Sequence, residues 1–185
     1  MEHMPATRIT WHDVLTMPED GNRYEAIGGE LYVTPPPKNR HQWILTNLLI
    51  ALVDLLMKPG HGRVFTAPIG VEFPGSDEGV QPDILFVSKQ RLAIVTEDWI
   101  RGAPDLVIEI LSPSTARRDR TVKRELYRRH GVAEYWIVDP DAKQVELWRF
   151  AAAAEPERRT ERVPVRLGEQ TVGEIDLASI FDWPR

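Results

Sequence analysis

The chain has 185 residues, 42 % of them apolar, and six tryptophans, enough for a folded core and a composition that excludes disorder. The absence of cysteine excludes disulfides, thiolate zinc sites and cysteine nucleophiles, and fits a reducing, cytoplasmic setting. A net charge of −5 speaks against nucleic-acid binding through overall charge, yet Arg117 to His130 carries six arginines and one lysine against two acids, a local +5.

The opening MEHMPATRIT has no apolar stretch of the kind a signal peptide needs. Residues 1–20 read as an N-terminal arm, in which Thr10 caps a short helix with Asp13 three positions behind it. Tyr24–Ile27 and Glu30–Val33 alternate around Gly28-Gly29, the signal of a tight hairpin. Glu25 falls on the opposite face from Tyr24 and Ala26. Pro35 to Pro37 form an extended link, since proline cannot enter a helix interior.

Asn39 is then the expected N-cap, with Gln42 as its partner, of a helix from about Arg40 to Met57. Ile44, Leu45, Leu48, Leu49, Leu52, Leu55 and Leu56 make its apolar stripe, and Trp43, Ile50, Val53 and Met57 cover much of the other side. Asn47 and Asp54 interrupt the run, and its length is short of a membrane span, so the protein is expected to be soluble. A helix apolar nearly all round is covered twice, here by a sheet and by a second subunit.

Residues 63–73 give one or two strands, residues 74–79 a loop, and residues 80–87 one further strand in which Pro82 marks an edge, a start or a bulge. Residues 88–103 are mixed. A strand near 105–111, a helix near 115–130 capped by Ser114 or Thr115, and a strand near 134–138 make a right-handed parallel crossover. Gln144 to Phe150 is the antiparallel partner that follows. Residues 151–162 read as a mobile loop or weak helix, and the remainder as short strands ending in an apolar knot of Leu177, Ile180, Phe181 and Trp183. One domain over 1–185 is expected, with a core over about 10–150 and a C-terminal extension over 151–185.

Asp83 and Glu109 are the carboxylates inside apolar strands, where an ionised group must be paired. If their strands are neighbours, about 5 Å apart, the two can share a hard divalent cation; otherwise each caps a loop or meets an arginine. Asp105 lies four residues before Glu109, roughly 13 Å along a strand, and cannot join it on one ion. Asp119, Lys123, Tyr127 and His130 share one helical face. Lys123 can orient a nucleophile or hold a phosphate, or it can simply pair with Asp119 on a solvated surface. Arg117, Arg118, Arg120 and Arg124, with Arg128 and Arg129, either track a phosphate backbone or solvate the helix. His41 and Glu25 are candidates for ligand contact or for structural roles.

The segments Arg23 to Glu30, Val80-Gln-Pro-Asp83, Pro104 to Thr115, Lys123 and Gly131 to Pro140 together resemble the Uma-type restriction endonuclease family of the PD-(D/E)xK nuclease superfamily, over about residues 10–150. The resemblance implies an α/β restriction-endonuclease-like core, a central mixed sheet flanked by helices, preceded here by the N-terminal hairpin. It implies a DNA substrate and hydrolysis dependent on Mg²⁺ or Mn²⁺, with Asp83 and Glu109 as metal-binding catalytic acids. The motif's lysine belongs two residues after the acid, where Leu111 stands; Lys123 on the following helix is the implied substitute. Glu25, His41 and Tyr127 are further candidates, and Arg117, Arg118, Arg120 and Arg124 are candidate DNA contacts. A homodimer would suit cutting two strands. The alternative is a catalytically inactive nuclease-fold module that binds nucleic acid or protein.

Overall fold

The computed structural model describes residues 8–184; residues 1–7 of the expected arm, and Arg185, lie outside the described residues. Helix α1 (Trp11–Val14) starts from the expected Thr10–Asp13 capping box. Strands β1 (Arg23–Ile27) and β2 (Glu30–Thr34) form the expected hairpin, and Gly28 and Gly29 both take positive φ, at 63° and 85°. Helix α2 (Asn39–Leu52) continues into a wide π-turn, Val53–Met57.

The cap of α2 differs from expectation. The N-cap is Lys38, whose side chain makes no capping bond, so Asn39 stands inside the helix and no box with Gln42 forms. Pro37 ends an extended link and Lys38 keeps its extended backbone, which starts the helix one residue early.

β3 (Gly62–Thr66) and β4 (Val71–Phe73) follow. The single strand expected over 80–87 is two strands in two sheets, β5 (Glu78–Val80) and β6 (Ile84–Ser88). Pro82 lacks the N–H a continuing ladder requires, so the chain changes sheets there, and Asp83 sits at the change. β7 (Ile100–Arg101) and β8 (Leu106–Ile110) precede a continuous helix of three parts: α3 (Ala116–Arg118), a π-turn (Asp119–Lys123) and α4 (Arg124–Arg129). β9 (Glu134–Asp139) lies parallel to β8, as a crossover demands, and β10 (Gln144–Trp148) runs antiparallel to β9.

The stretch expected as a loop or weak helix contains β11 (Glu157–Arg159), which extends the sheet beyond β10. Its charged residues suit an edge strand better than a core one. β12 (Arg162–Leu167) and β13 (Gln170–Asp176) form a separate hairpin that leads into α5 (Leu177–Ile180). Leu177, Ile180 and Phe181 are buried, whereas Trp183 is exposed and meets Trp43 edge-on at 5.7 Å.

The strands order as β11-β10-β9-β8-β6-β3 in a central mixed sheet and β2-β1-β5-β4-β7 in a smaller one. One face of the central sheet packs on Ile44, Leu48, Leu52 and Leu56 of the α2 segment and on the C-terminal hairpin. Its other face packs Leu85, Val107, Tyr135 and Ile137 against Leu126 and Tyr127 of the helix after β8 and against Val71, Phe73 and Val80 of the smaller sheet. Two layers thus meet over that second face, and the candidate site lies between them. Among the described residues no helix is long and apolar enough to cross a membrane.

Candidate active site

Strands β6 and β8 pair antiparallel with Ile84 opposite Ile108. Extending that register by one position sets Asp83 opposite Glu109, both on the face turned to the crossover helix. Both residues are buried and line a cleft of ≈ 770 Å³. Its walls are the Pro35–Pro37 link, the first turn of α2, the Ser112–Thr115 loop, the crossover helix and the β9–β10 turn.

Asp83 is fully engaged. Its Oδ1 accepts from Arg23 Nη1 at 2.7 Å; its Oδ2 accepts from the Ile110 amide at 2.8 Å and lies 3.0 Å from His41 Nε2. Burial alone would raise its pKa, but the His41 hydrogen bond and the Arg23 charge hold the carboxyl well below the usual range. Glu109 behaves oppositely. Burial pushes its carboxyl up to about 7, against the pull of Lys123. Its Oε1 accepts from both Lys123 Nζ at 2.8 Å and Tyr127 Oη at 2.7 Å. Both of those bonds fall on one oxygen, leaving Oε2 outside them.

The Lys123 ammonium also contacts Glu25 Oε1, at 2.7 Å. Burial alone would lower its pKa, but the charges of Glu109, Glu25 and Asp119 raise it, so the amine is held cationic. Glu25 Oε1 further accepts from the Gln81 amide at 2.9 Å, while its buried Oε2 has no hydrogen-bond partner. The Asp119–Lys123 surface pair weighed from spacing is not what forms: both side chains are 2 % exposed. The i→i+5 turn between them is the local reason, because it widens the helix where two charged residues must both face inward.

Asp119 and Arg23 belong to this constellation although spacing did not single them out as site residues. Asp119 lines the cleft, its Oδ1 is buried without a partner, and burial raises its carboxyl. The available signals were its place one turn before Lys123, and the two-residue step that puts Arg23 on the Glu25 face of β1.

The candidate DNA contacts divide. Arg118 donates to Thr34 Oγ1 at 2.5 Å, lies 3.7 Å from Glu25 Oε2 and sits over the Tyr32 ring. Arg120 pairs with Asp139 at 2.8 Å and Glu146 at 3.1 Å. Arg124 stacks over Trp148, and Arg117 is exposed. Asp105 stands apart from the acid pair, accepting from the Ser88 amide at 2.8 Å and from Arg91 at 3.2 Å.

Among the described residues no three His, Cys, Asp or Glu side chains are grouped to hold a metal ion. The donor set that does converge, two carboxylates from paired strands, consists of hard oxygens and suits Mg²⁺ or Mn²⁺ in chemistry, with water completing the shell. Two acids on adjoining strands, with a lysine reaching them from a crossover helix, define a restriction-endonuclease-like α/β fold. The model of the Uma2 family, described as "Putative restriction endonuclease", matches residues 11–178, and the chain belongs to that family. A crystal structure described as a "putative nuclease belonging to DUF820" from Anabaena variabilis is similar, with a TM-score of 0.77 and 26 % identity. The match covers 95 % of this chain and 98 % of that one. No curated protein matches the chain.

Proposed function

We propose that the protein is a divalent-metal-dependent endonuclease that hydrolyses DNA phosphodiester bonds. The observation that carries this reading is the Asp83–Glu109 pair on adjoining strands with the Lys123 ammonium 2.8 Å from Glu109. Asp83 and Glu109 would hold the ion; when bound, it supplies a water of lowered pKa and charge neutralisation at a phosphoryl oxygen. Tyr127 and Lys123 fix Glu109 through Oε1 and so keep Oε2 turned from their bonds. Lys123, held cationic, orients the attacking water and stabilises charge on the phosphate. Arg118 and Arg120 line the cleft and Arg117 and Arg124 extend the basic surface along the helix, which supports phosphate contacts there.

The same reading includes a single domain, because the C-terminal hairpin shares the core under α2. It also includes a cytoplasmic setting and a homodimer through the outer side of α2, where Trp43 and Ile50 are exposed. Size-exclusion chromatography with light scattering tests the dimer.

Cleavage of plasmid and linear DNA with Mg²⁺ or Mn²⁺ should be lost in Asp83→Ala and Glu109→Ala. A second reading, a catalytically silent binding module, is favoured by one observation: both oxygens of Asp83 are already engaged, by Arg23, His41 and Ile110. DNA binding without cleavage, unchanged by either substitution, would decide for it.

A further inference from the structure

Resting on the nuclease reading, we propose that the N-terminus of α2, with Lys38, is a phosphate subsite for a backbone phosphate adjacent to the one cut.

The helix is 14 residues long, and its first internal bond runs from the Gln42 amide to the Lys38 carbonyl at 3.2 Å. The amides of Asn39, Arg40 and His41 therefore lie beyond the internal ladder, at the positive end of the helix. Nothing in the sequence fills that end. The N-cap side chain makes no capping bond, and the first turn has no acidic residue. Lys38 is exposed on the cleft, and Arg40 also lines it while reaching Asp141 at 2.8 Å on the opposite wall. An uncapped helix start with cations around it is a ready-made anion site.

An independent observation points to a ligand there. His41, the third residue of the helix, is 8 % exposed and lines the cleft, and its Nδ1 is buried without a hydrogen-bond partner. Buried polar atoms are nearly always satisfied, so this ring nitrogen awaits an atom that enters the cleft. Its other nitrogen lies 3.0 Å from Asp83. One imidazole ring thus separates the helix end from the acid pair, which places the subsite next to the reacting phosphate.

The ligand class follows from the rest of the lining. The cleft has prolines and serines but no Phe, Tyr or Trp side chain on which a base would stack. Grip on a strand would come from phosphate and not from base faces, so recognition here tolerates any sequence.

The test uses the full chain, a fluorescein-labelled oligonucleotide and EDTA, with anisotropy as readout. Lys38→Asp places a carboxylate at the N-cap, where it should cap the free amides and raise the melting temperature. It should also weaken oligonucleotide binding at least tenfold and reduce the slope of log K against log salt by about one. Lys38→Gln should weaken binding less and leave the melting temperature near wild type, and it carries the test if the aspartate variant misfolds. Wild-type binding in both variants overturns the subsite. Inorganic phosphate that raises the melting temperature as much as the oligonucleotide does, with the effect lost in Lys38→Asp, overturns the backbone assignment in favour of a free-phosphate site. If the wild type binds as described but never cleaves with Mg²⁺ or Mn²⁺, the nuclease reading fails and the subsite stands.

Discussion

Lys123 Nζ lies 2.8 Å from Glu109 Oε1 and 2.7 Å from Glu25 Oε1, so one ammonium joins the central sheet to the hairpin sheet. Removing only the charge leaves two carboxylates buried with no cation between them. Lys123→Met, which keeps most of the stem, should cost about 3–5 kcal/mol in urea denaturation. Cleavage should be lost as well. A stability equal to wild type would show that the two carboxylates find another partner.

Asp83 and Glu78 both titrate below the usual carboxylate range. For each, burial alone would act upward. The His41 bond and Arg23 charge outweigh it at Asp83, and the His130 and Gly28 bonds with Arg129 outweigh it at Glu78. A depressed folded-state pKa contributes stability that is complete above the unfolded value and lost as pH falls through the folded one. Glu109 acts in the opposite sense: its contribution is present at low pH and lost as pH rises through about 7. The stability difference between wild type and Asp83→Asn isolates one group. It should be constant near neutral pH and shrink below about pH 4, measured as urea midpoints across pH.

Tyr135 Oη donates to the Asp119 carbonyl at 3.1 Å, tying the π-turn to β9. Tyr135→Phe deletes that bond alone and leaves a buried carbonyl short of a partner. The expected loss is about 1–3 kcal/mol. Because the turn aims Lys123, kcat should fall while KM stays near wild type; a change in KM alone would argue that the hydroxyl serves only packing.

Gly79 on β5 lies under the Trp11 indole, where a Cβ would collide with ring atoms. Gly79→Ala should push α1 off the sheet and cost about 1–3 kcal/mol. Trp11 fluorescence would shift to longer wavelength as the ring gains water. An unshifted spectrum with full stability would mean that the arm yields freely.

Much of this was legible because local chemistry and final environment agree. The double-glycine hairpin, the Thr10–Asp13 cap and the β8–helix–β9 crossover each have a signal within a few residues. The break at Pro82 was visible, but the change of sheet was not, since spacing cannot say which neighbour a strand takes. β11 was hidden by its charges, which fit an edge strand as well as a loop. In the site, Asp83, Glu109 and Lys123 stood out as charges in apolar or patterned settings. Asp119 did not: burying it beside Lys123 depends on a widened turn that no i, i+4 count detects.

Leu111 stands where the family motif would carry its amine, and it is buried in the core with Val107 and Ile137. Handing that amine to the helix frees the end of β8 to be greasy, so the strand gives water no channel along its own length. Solvent and substrate must then arrive through one doorway, past the proline link and the start of α2. A plug fitted to that doorway would silence the protein without touching either acid.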